Sequence, residues 1–367
     1  MTRVLQVVTH MNRGGLETML MNYYRNMDRT RIQFDFLTHR PYEGDYGEEI
    51  KSMGGKIYHL PILNPFSGSY KKTLRLFFLD HPEYQIIHVH QDCLSGVILK
   101  IAKDCGVKVR IAHSHTANQV KDLKYPIKLF CRNRIPQYAT ALMACGKDAG
   151  MWMFRGADFR ILNNAIDTRW YSFHSNKRDT MRVELGIGKD ELVLGHVGNF
   201  TPAKNYAYLV DIFHEAKQLI PCSKLLLVGN NVGDIANEVK EKVKSLELED
   251  SVIFTGIRSD VPDLMQAMDV FVFPSNYEGL PMTMVEAQAS GLPCLISDKV
   301  PIECKMTALV QQISLAEGAE VWAKKAIAAA KETVREDTSA QIKAAGFDIA
   351  ENVKWLQNYY LSALERV

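Results

Sequence analysis

Short apolar runs of strand character alternate with helical segments, and this alternation limits the possible folds more than any other feature of the sequence. In the first half the runs lie at 3–9, 33–39, 57–61, 86–90 and 109–115, and similar runs return at 192–198, 224–231 and 252–258. Repeated strand and helix units predict an α/β fold with doubly wound parallel sheets. Such sheets bind their ligands at the carboxyl ends of the strands.

The length and composition predict a soluble globular protein. The chain has 367 residues, enough for two domains of ordinary size, and contains 47% hydrophobic and 23% charged residues. Its seven cysteines follow no paired spacing, so we expect neither disulfides nor a zinc site. The N-terminus leads directly into a strand and no run of 18 apolar residues occurs, which predicts a cytoplasmic protein.

The stretch Phe271–Gly291 predicts a strand, a tight loop and a helix. The apolar run 270–273 is stopped by Pro274 and Ser275. Pro281 is expected in the first helical turn, where its fixed φ and missing N–H are tolerated. The start of such a helix carries unpaired N–H groups and partial positive charge, so it stabilises an anion such as a diphosphate.

Two carboxylates lie in this stretch, Glu278 in the loop and Glu286 in the helix. They would repel a phosphate, so we expect them to accept hydrogen bonds from sugar hydroxyls on either side of it. Solvated surface charge is the ordinary alternative for a pair of glutamates. However, the apolar residues around Glu286 predict a mostly buried helix, in which an unpaired charge is costly.

The spacing of Glu278 and Glu286, with Gly279 and Pro281 between them and AlaSerGlyLeuPro after them, resembles the signature of the retaining GT-B glycosyltransferases of family 4. This resemblance covers nearly the whole chain. It implies that Glu278 contacts the donor sugar and that Glu286 contacts the nucleotide ribose. The backbone of Gly279, Leu280, Pro281, Met282 and Thr283 would hold the diphosphate.

The same resemblance implies a GT-B domain organisation. Residues 161–167, IleLeuAsnAsnAlaIleAsp, are similar to the family's interdomain linker. We therefore expect an acceptor-side Rossmann-like domain at 1–168 and a nucleotide-sugar-binding Rossmann-like domain at 169–345. Residues 346–367 predict an amphipathic helix, which would return to the first domain as the terminal helix of the family does.

Further site residues follow from the resemblance, position by position. The glycine pair Gly14 and Gly15, after the first strand, would approach the donor phosphate and the acceptor or take positive φ, although a simple tight turn is the alternative. His115 would contact the donor sugar near the reacting carbon, with His113 as its substitute. Lys204 would bind the diphosphate. Gly229, Ile257 and Arg258 would surround the base, for which a pyrimidine, hence UDP, is expected.

One position departs from the family pattern. Asn199 stands where the family usually has an arginine, and loss of that cation weakens stabilisation of the leaving group. Either Arg13 or Arg258 replaces it, or Asn199 donates one neutral hydrogen bond. The sequence leaves these alternatives open.

Positive charge is concentrated in the first half of the chain. Residues 1–168 hold 23 Lys plus Arg and 15 Asp plus Glu, a balance of +8, whereas the total is +2. Within this half, 120–136 interleave apolar residues with the cations Lys121, Lys124, Lys128, Arg132 and Arg134, opposed by Asp122. This pattern predicts either an anionic membrane surface or an ordinary helix with snorkelling lysines.

Together these features predict a retaining hexosyltransferase that uses a nucleotide sugar, with no cofactor and no metal, since no paired aspartates stand at a strand end. The expected acceptor is a saccharide, such as a lipid-diphosphate-linked intermediate in capsule or exopolysaccharide synthesis, met at the inner face of the membrane. A UDP-sugar epimerase and a catalytically silent sugar- or nucleotide-binding protein are the alternatives.

Overall fold

The computed structural model describes residues 1–116, 123 and 125–366. Internal contacts divide the chain into two compact units. The first unit comprises residues 1–165 and the segment from Ile349 onward, and the second comprises Ile166–Asp348. Sequence analysis placed the corresponding boundaries at 168 and 345. The lysines at 121 and 124 and the aspartate at 122, for which either a membrane surface or an ordinary helix was predicted, lie outside the described residues.

The first unit contains a seven-stranded parallel sheet with the order β3-β2-β1-β4-β5-β6-β7. Its strands are β1 (Thr2–Val7), β2 (Ile32–Thr38), β3 (Ile57–His59), β4 (Ile86–Val89), β5 (Val109–Ser114), β6 (Ala141–Ala144) and β7 (Arg160–Ile161). Its helices are α1 (Gly15–Asn26), α2 (Gly47–Ser52), α3 (Gly68–Asp80), α4 (Ser95–Asp104), α5 (Tyr125–Arg132), α6 (Ile135–Tyr138), α7 (Lys147–Phe154) and, at the end of the chain, α16 (Ile349–Glu365).

The second unit contains a six-stranded parallel sheet with the order β10-β9-β8-β11-β12-β13. Its strands are β8 (Leu192–Val197), β9 (Ser223–Val228), β10 (Val252–Gly256), β11 (Val270–Phe273), β12 (Cys294–Ser297) and β13 (Val310–Ile313). Its helices are α8 (Thr168–Tyr171), α9 (Ser175–Glu184), α10 (Tyr206–Leu219), α11 (Asp234–Ser245), α12 (Val261–Ala267), α13 (Met282–Ala289), α14 (Ala319–Glu332) and α15 (Ser339–Ala344).

These two sheets confirm the predicted fold class. Their central strands are buried on both faces, as all residues of β2 and β11 show, because helices cover each side of a parallel sheet. Burying one such aliphatic or aromatic side chain contributes about 1.5–3 kcal/mol. Helix α16 packs against α1 in the first unit, with Tyr360 fully buried against the edge of Phe34 at 6.0 Å between ring centroids.

Two local details refine the expectations from the sequence. Pro281 is the N-cap residue of α13 rather than part of its first turn, because its ψ of 127° is extended. Arg132, one of the cations for which either a membrane surface or an ordinary helix was predicted, is buried, with its guanidinium 4.9 Å from the ring of Trp152, so it does not face a membrane. Within the described residues, no helix combines the length and the apolar character needed to cross a bilayer.

Candidate active site

The order of strands in the second sheet places a crevice between β8 and β11. These strands are neighbours, and the sequence order of the sheet reverses there. Doubly wound sheets bind ligands at the carboxyl ends of the strands at such a switch point. The two loops that leave these ends, 198–205 and 274–281, carry Lys204 and Glu278. The switch point therefore joins two predicted site residues that are far apart in the sequence.

Lys204 and Glu278 form an ion pair at this crevice. Lys204 Nζ lies 2.8 Å from Glu278 Oε1, and their side chains are 16% and 12% exposed. The same ammonium group lies 4.4 Å from the centroid of the Phe273 ring. Because the pair is still partly solvated, its partners can separate to bind other charged or polar groups without leaving a fully buried charge.

The N-terminus of α13 adjoins this ion pair in sequence and offers unpaired donors. Among the residues that the structure describes, no side chain caps the helix after Pro281. The Thr283 Oγ1 atom is buried and has no hydrogen-bond partner among the described residues. Gly279 and Leu280 are half-buried in the preceding loop, whereas Met282 is buried. The Thr283 hydroxyl and the amides of the first helical turn, which have no partner within the helix, favour an anion there.

The other end of α13 is fixed by backbone and side-chain contacts. Gly291 has a φ of +65°, and a Cβ added there would lie 2.6 Å from the Glu336 carbonyl oxygen. Arg335 donates from Nε to the Ser290 carbonyl at 3.0 Å, and burial lowers its pKa to about 9. These contacts satisfy carbonyl groups at the helix end and hold the orientation of α13.

Glu286 points into the interior of the second unit. It is 5% exposed, and its Oε1 accepts a hydrogen bond from the Tyr171 hydroxyl at 2.9 Å. Burial raises the pKa of Glu286 to about 7, against the effect of the Tyr171 bond, which lowers it. Sequence reasoning missed Tyr171, since no local pattern relates α8 to α13.

The turn after β8 shows what Asn199 contributes. Its Oδ1 accepts a hydrogen bond from the Asn230 backbone N–H at 3.2 Å, so its amide NH2 is the group that can donate to a ligand. Gly229 lies beside this turn with a φ of +144°, and a Cβ there would come 1.9 Å from the Gly198 carbonyl oxygen. The close approach of the ends of β8 and β9 therefore requires glycine at 229.

The structure does not favour Arg258 as a replacement for the family's arginine. Its guanidinium donates to Asp260 Oδ1 at 2.7 Å and to Glu184 Oε1 at 2.8 Å. These carboxylates hold its pKa above the ordinary value. Ile257, its neighbour, is exposed to 50%. The side chain of Arg258 is thus already neutralised by two acids.

In the first unit, the glycine loop leads into α1 and contains a buried carboxylate. Gly14 has a φ of −140°, so of the two alternatives, close approach to a ligand or positive φ, the structure excludes positive φ at this residue. A Cβ at Gly14 would instead lie 2.4 Å from Glu17 Oε2. Burial raises the pKa of Glu17 to about 7, and the His10 Nδ1 atom lies 3.3 Å from Oε1. Sequence analysis did not single out Glu17.

Arg13 precedes this glycine loop. Its backbone N–H donates to Asp45 Oδ2 at 2.9 Å, and its guanidinium stands 5.0 Å from the centroid of the Tyr46 ring. This cation–π contact leaves Arg13 able to meet an anion.

Four histidines meet at the carboxyl ends of β4 and β5. Their ring centroids lie 4.0 Å apart for His113 and His115 and 4.4 Å apart for His88 and His90. His90 joins His115 through a 2.8 Å contact from Nδ1 to Nε2. Burial lowers the pKa of His88 and of His115 to about 3, so both rings are neutral at pH 7.

The nitrogens of His88, His90 and His113 could also hold a metal ion. One ligand atom from each lies within 4.8 Å of the others, and all three residues are buried. Sequence analysis named His113 and His115, whereas His88 was missed. The sequence did contain a signal for His88, because it lies two residues before His90, and side chains at that spacing in a strand share a face.

Comparisons with known proteins identify relatives over both the sequence and the fold. A family model described as glycosyl transferases group 1 matches residues 177–345. EpsF of Bacillus subtilis (strain 168), itself named only provisionally as a glycosyltransferase, is 36% identical over 99% of this chain and 97% of its own length. The UDP-Gal:alpha-D-GlcNAc-diphosphoundecaprenol alpha-1,3-galactosyltransferase of Escherichia coli is 33% identical over 38% of this chain and 36% of its own.

Solved structures share the fold at low sequence identity. Anabaena HepE in complex with UDP-glucose has a TM-score of 0.79 and 18% identity, covering 99% of this chain and 100% of its own. The sucrose-phosphate synthase of Thermosynechococcus elongatus has a TM-score of 0.78 and 16% identity, covering 100% of both chains.

Proposed function

The chain belongs to the group 1 glycosyl transferases, and from this premise we propose that it is a retaining hexosyltransferase that moves a sugar from a UDP-sugar to a lipid-diphosphate-linked saccharide. That the protein is a glycosyltransferase of GT-B fold follows from the family itself. The donor nucleotide is supported by HepE, whose structures are described with UDP and UDP-glucose. The acceptor class is supported by the name of the Escherichia coli relative.

The observation that carries the proposal is the ion pair of Lys204 and Glu278 at the switch point of the second sheet. A diphosphate at the start of α13 would draw Lys204 away from Glu278 and meet the amides of Met282 and Thr283. Positive charge placed where the leaving group gains negative charge stabilises the transition state. Glu278, released from Lys204, would accept hydrogen bonds from the donor sugar.

In the proposed reaction the acceptor hydroxyl attacks the anomeric carbon on the face from which the diphosphate leaves. The bond from the anomeric carbon to the diphosphate oxygen breaks as the new glycosidic bond forms, and the hydroxyl proton passes to the diphosphate. No protein nucleophile is needed. The amide NH2 of Asn199 would donate one hydrogen bond to the diphosphate, and Arg13 is the remaining candidate for a replacement cation. Transfer would need no metal, because Lys204 and the helix amides supply the positive charge.

Glu286 would bind the ribose. Its carboxylate has one hydrogen bond from Tyr171 and can accept others, and ribose hydroxyls are suitable donors. In the first unit, His115 is proposed to contact the donor sugar, with Gly14 and Gly15 near the donor phosphate and the acceptor. The neutral His115 ring can donate or accept a hydrogen bond without attracting the diphosphate.

The lipid part of the acceptor is supported by the surface around α5. A cavity of about 670 Å³ is lined there by Phe130 and Pro126, with Lys71 and Arg134 among its cations. Phe130 is 58% exposed, and the Arg134 guanidinium lies 4.1 Å from its ring centroid. Exposed aromatic residues beside cations suit an anionic bilayer. We therefore place the enzyme in the cytoplasm, attached peripherally to the inner face of the membrane.

A vesicle assay tests this attachment. Phe130→Ser should reduce sedimentation with phosphatidylglycerol vesicles at low salt, whereas Leu219→Ser, at a residue 47% exposed in the second unit, should not. If wild-type protein does not sediment with these vesicles, membrane attachment is wrong, although transfer to a soluble acceptor remains measurable.

The transfer itself is tested with labelled UDP-glucose, UDP-galactose and UDP-N-acetylglucosamine, each mixed with a lipid-diphosphate saccharide. We expect a labelled product whose new linkage keeps the anomeric configuration of the donor. Isomerised donor without transfer would indicate an epimerase. Donor binding without any turnover would indicate a silent binding protein.

A further inference from the structure

A strip of buried polar side chains crosses the sheet of the first unit. Gln6 on β1 pairs in register with His88 on β4, and His90 and His113 lie on the same face towards the carboxyl ends. These four side chains are at most 4% exposed. A core strip of three adjacent imidazoles is costly unless something bonds to their nitrogens.

Three of the ring nitrogens have no such bond. The Nε2 atom of His88 and both nitrogens of His113 are buried without a hydrogen-bond partner in the described part of the chain. An unsatisfied buried polar group costs about as much as one or more ordinary hydrogen bonds contribute. The strip therefore contains neighbouring ring nitrogens that could ligate a metal ion and that make no hydrogen bond.

The remaining nitrogens are held in the manner of metal ligands. His88 Nδ1 lies 2.7 Å from the Tyr360 hydroxyl, and His90 Nε2 lies 3.0 Å from Gln6 Oε1. Histidine ligands in metal sites use the second ring nitrogen for just such a bond, which fixes the ring and its tautomer. Here this leaves His88 Nε2 and one nitrogen of His113 to ligate, together with His90 Nδ1, which contacts His115 in the absence of an ion.

We propose that His88, His90 and His113 bind one transition-metal ion of the Zn²⁺ class. All-imidazole donors suit Zn²⁺, Co²⁺, Ni²⁺ and Cu²⁺, whereas Mg²⁺ and Ca²⁺ require oxygen ligands. Tetrahedral Zn²⁺ with bonds of about 2.0–2.1 Å separates its ligand nitrogens by about 3.4 Å. The ligand nitrogens of the three histidines now lie within 4.8 Å of one another. Side-chain rotations that move each ring by about 1 Å would bring them to the tetrahedral separation.

His115 occupies the fourth position. Its Nε2 already lies 2.8 Å from His90 Nδ1, so an ion bound to His90 replaces that hydrogen bond with a shared ligand. The site would join β4 to β5 beneath their carboxyl ends, with Tyr360 of α16 as a positioning residue. This ion takes no part in the transfer chemistry proposed at Lys204. The two proposals share His115, which would ligate the ion through Nε2 and keep Nδ1 for the donor sugar. Co²⁺ binding and sugar transfer are measured separately, so failure of one proposal is distinguishable from failure of the other.

Untagged protein, stripped with a chelator and titrated with Co²⁺, tests the site. We expect one Co²⁺ per chain with the intense visible absorption of tetrahedral coordination, displaced by Zn²⁺. His113→Gln should weaken binding at least tenfold. His39→Gln is the matched control, because His39 is also buried in this unit but is bonded to Val8 and Tyr70.

Tyr360→Phe provides a second test should His113→Gln fail to fold. Loss of an outer partner weakens metal affinity roughly 10- to 100-fold, so this variant should bind Co²⁺ less tightly while its circular dichroism stays unchanged. The proposal is overturned if stripped wild-type protein binds no Co²⁺, if binding gives only the weak absorption of octahedral coordination, or if Tyr360→Phe binds as the wild type does.

Discussion

The carboxyl ends of the two sheets carry opposite kinds of polar chemistry. In the first unit they hold neutral imidazoles, of which His88, His90 and His113 are buried. In the second unit they hold an ion pair, Lys204 with Glu278, that keeps partial contact with water. The same β-α architecture therefore supports both a neutral buried cluster and a charged crevice. The charged crevice supplies Lys204 as a cation for a diphosphate, whereas the rings of His88 and His115 are neutral.

A buried carboxylate is common to both units. Glu17 lies in the first turn of α1, and Glu286 lies within α13. Burial raises the pKa of each to about 7. The two units thus differ in the polar groups at their strand ends, but each contains a helix with a buried glutamate whose pKa is raised.

The largest expected effect is at the charged crevice. Lys204→Ala should lower kcat/KM for the UDP-sugar by about 10²- to 10³-fold, the loss typical of removing one group that stabilises transition-state charge. Steady-state kinetics measure this loss. Lys242→Ala is the matched control, since Lys242 pairs with Asp211 at 2.6 Å on the surface of the same unit. Equal kinetics for the two variants would contradict the role of Lys204.

The buried carboxylates should make stability depend on pH. Because the folded pKa of Glu286 is about 7 against an ordinary 4.5, its contribution is fully present below pH 4.5 and is lost as pH rises through 7. The loss is about 3 kcal/mol, at 1.36 kcal/mol for each pKa unit.

Urea unfolding of wild type and Glu286→Gln between pH 5 and 8 measures this dependence. The difference between the two proteins should change with pH, since glutamine cannot ionise. Glu17→Gln should show the same behaviour in the first unit. A pH-independent difference at both positions would show that the carboxylates ionise normally.

A smaller effect is expected at the neutral cluster. His115→Gln should lower kcat/KM by roughly tenfold, the value of about one hydrogen bond to the donor sugar. His39→Gln should leave kcat/KM unchanged, because His39 bonds to Val8, Tyr70 and Gln91 and has no proposed contact with the donor sugar. If His39→Gln is equally impaired, the effect of His115→Gln reflects folding rather than sugar contact.

The smallest effect concerns the partner of Glu286. Tyr171→Phe removes the 2.9 Å hydrogen bond to the carboxylate and should cost about 1 kcal/mol of stability. It should also raise the pKa of Glu286, because that bond favours the ionised form. Carboxyl titration by NMR would detect the shift. An unchanged titration midpoint would exclude Tyr171 as its partner in solution.

Much of the fold was predictable because its signals are local. Strand β11 and helix α13 lie where periodicity and the prolines of 270–291 predicted them, with an error of one residue at Pro281. Gly229 was likewise predicted as a turn residue from the sequence. The sequence did not show that glycine is required there because the Gly198 carbonyl comes so close. At Gly14 the φ is not positive, and glycine is favoured there because a Cβ would meet the carboxylate of Glu17, a contact that no local pattern reveals.

By itself the sequence determined the α/β class, the parallel sheets and the family motif of Glu278 and Glu286, since these depend on residue spacing within single elements. Only the tertiary structure decided which groups meet. Tyr171 and Glu286 are 115 positions apart, and His88 and Tyr360 are 272 apart. Strand order and helix packing set such contacts, and no local pattern encodes them, because side chains far apart in the chain become neighbours only after the sheet is assembled.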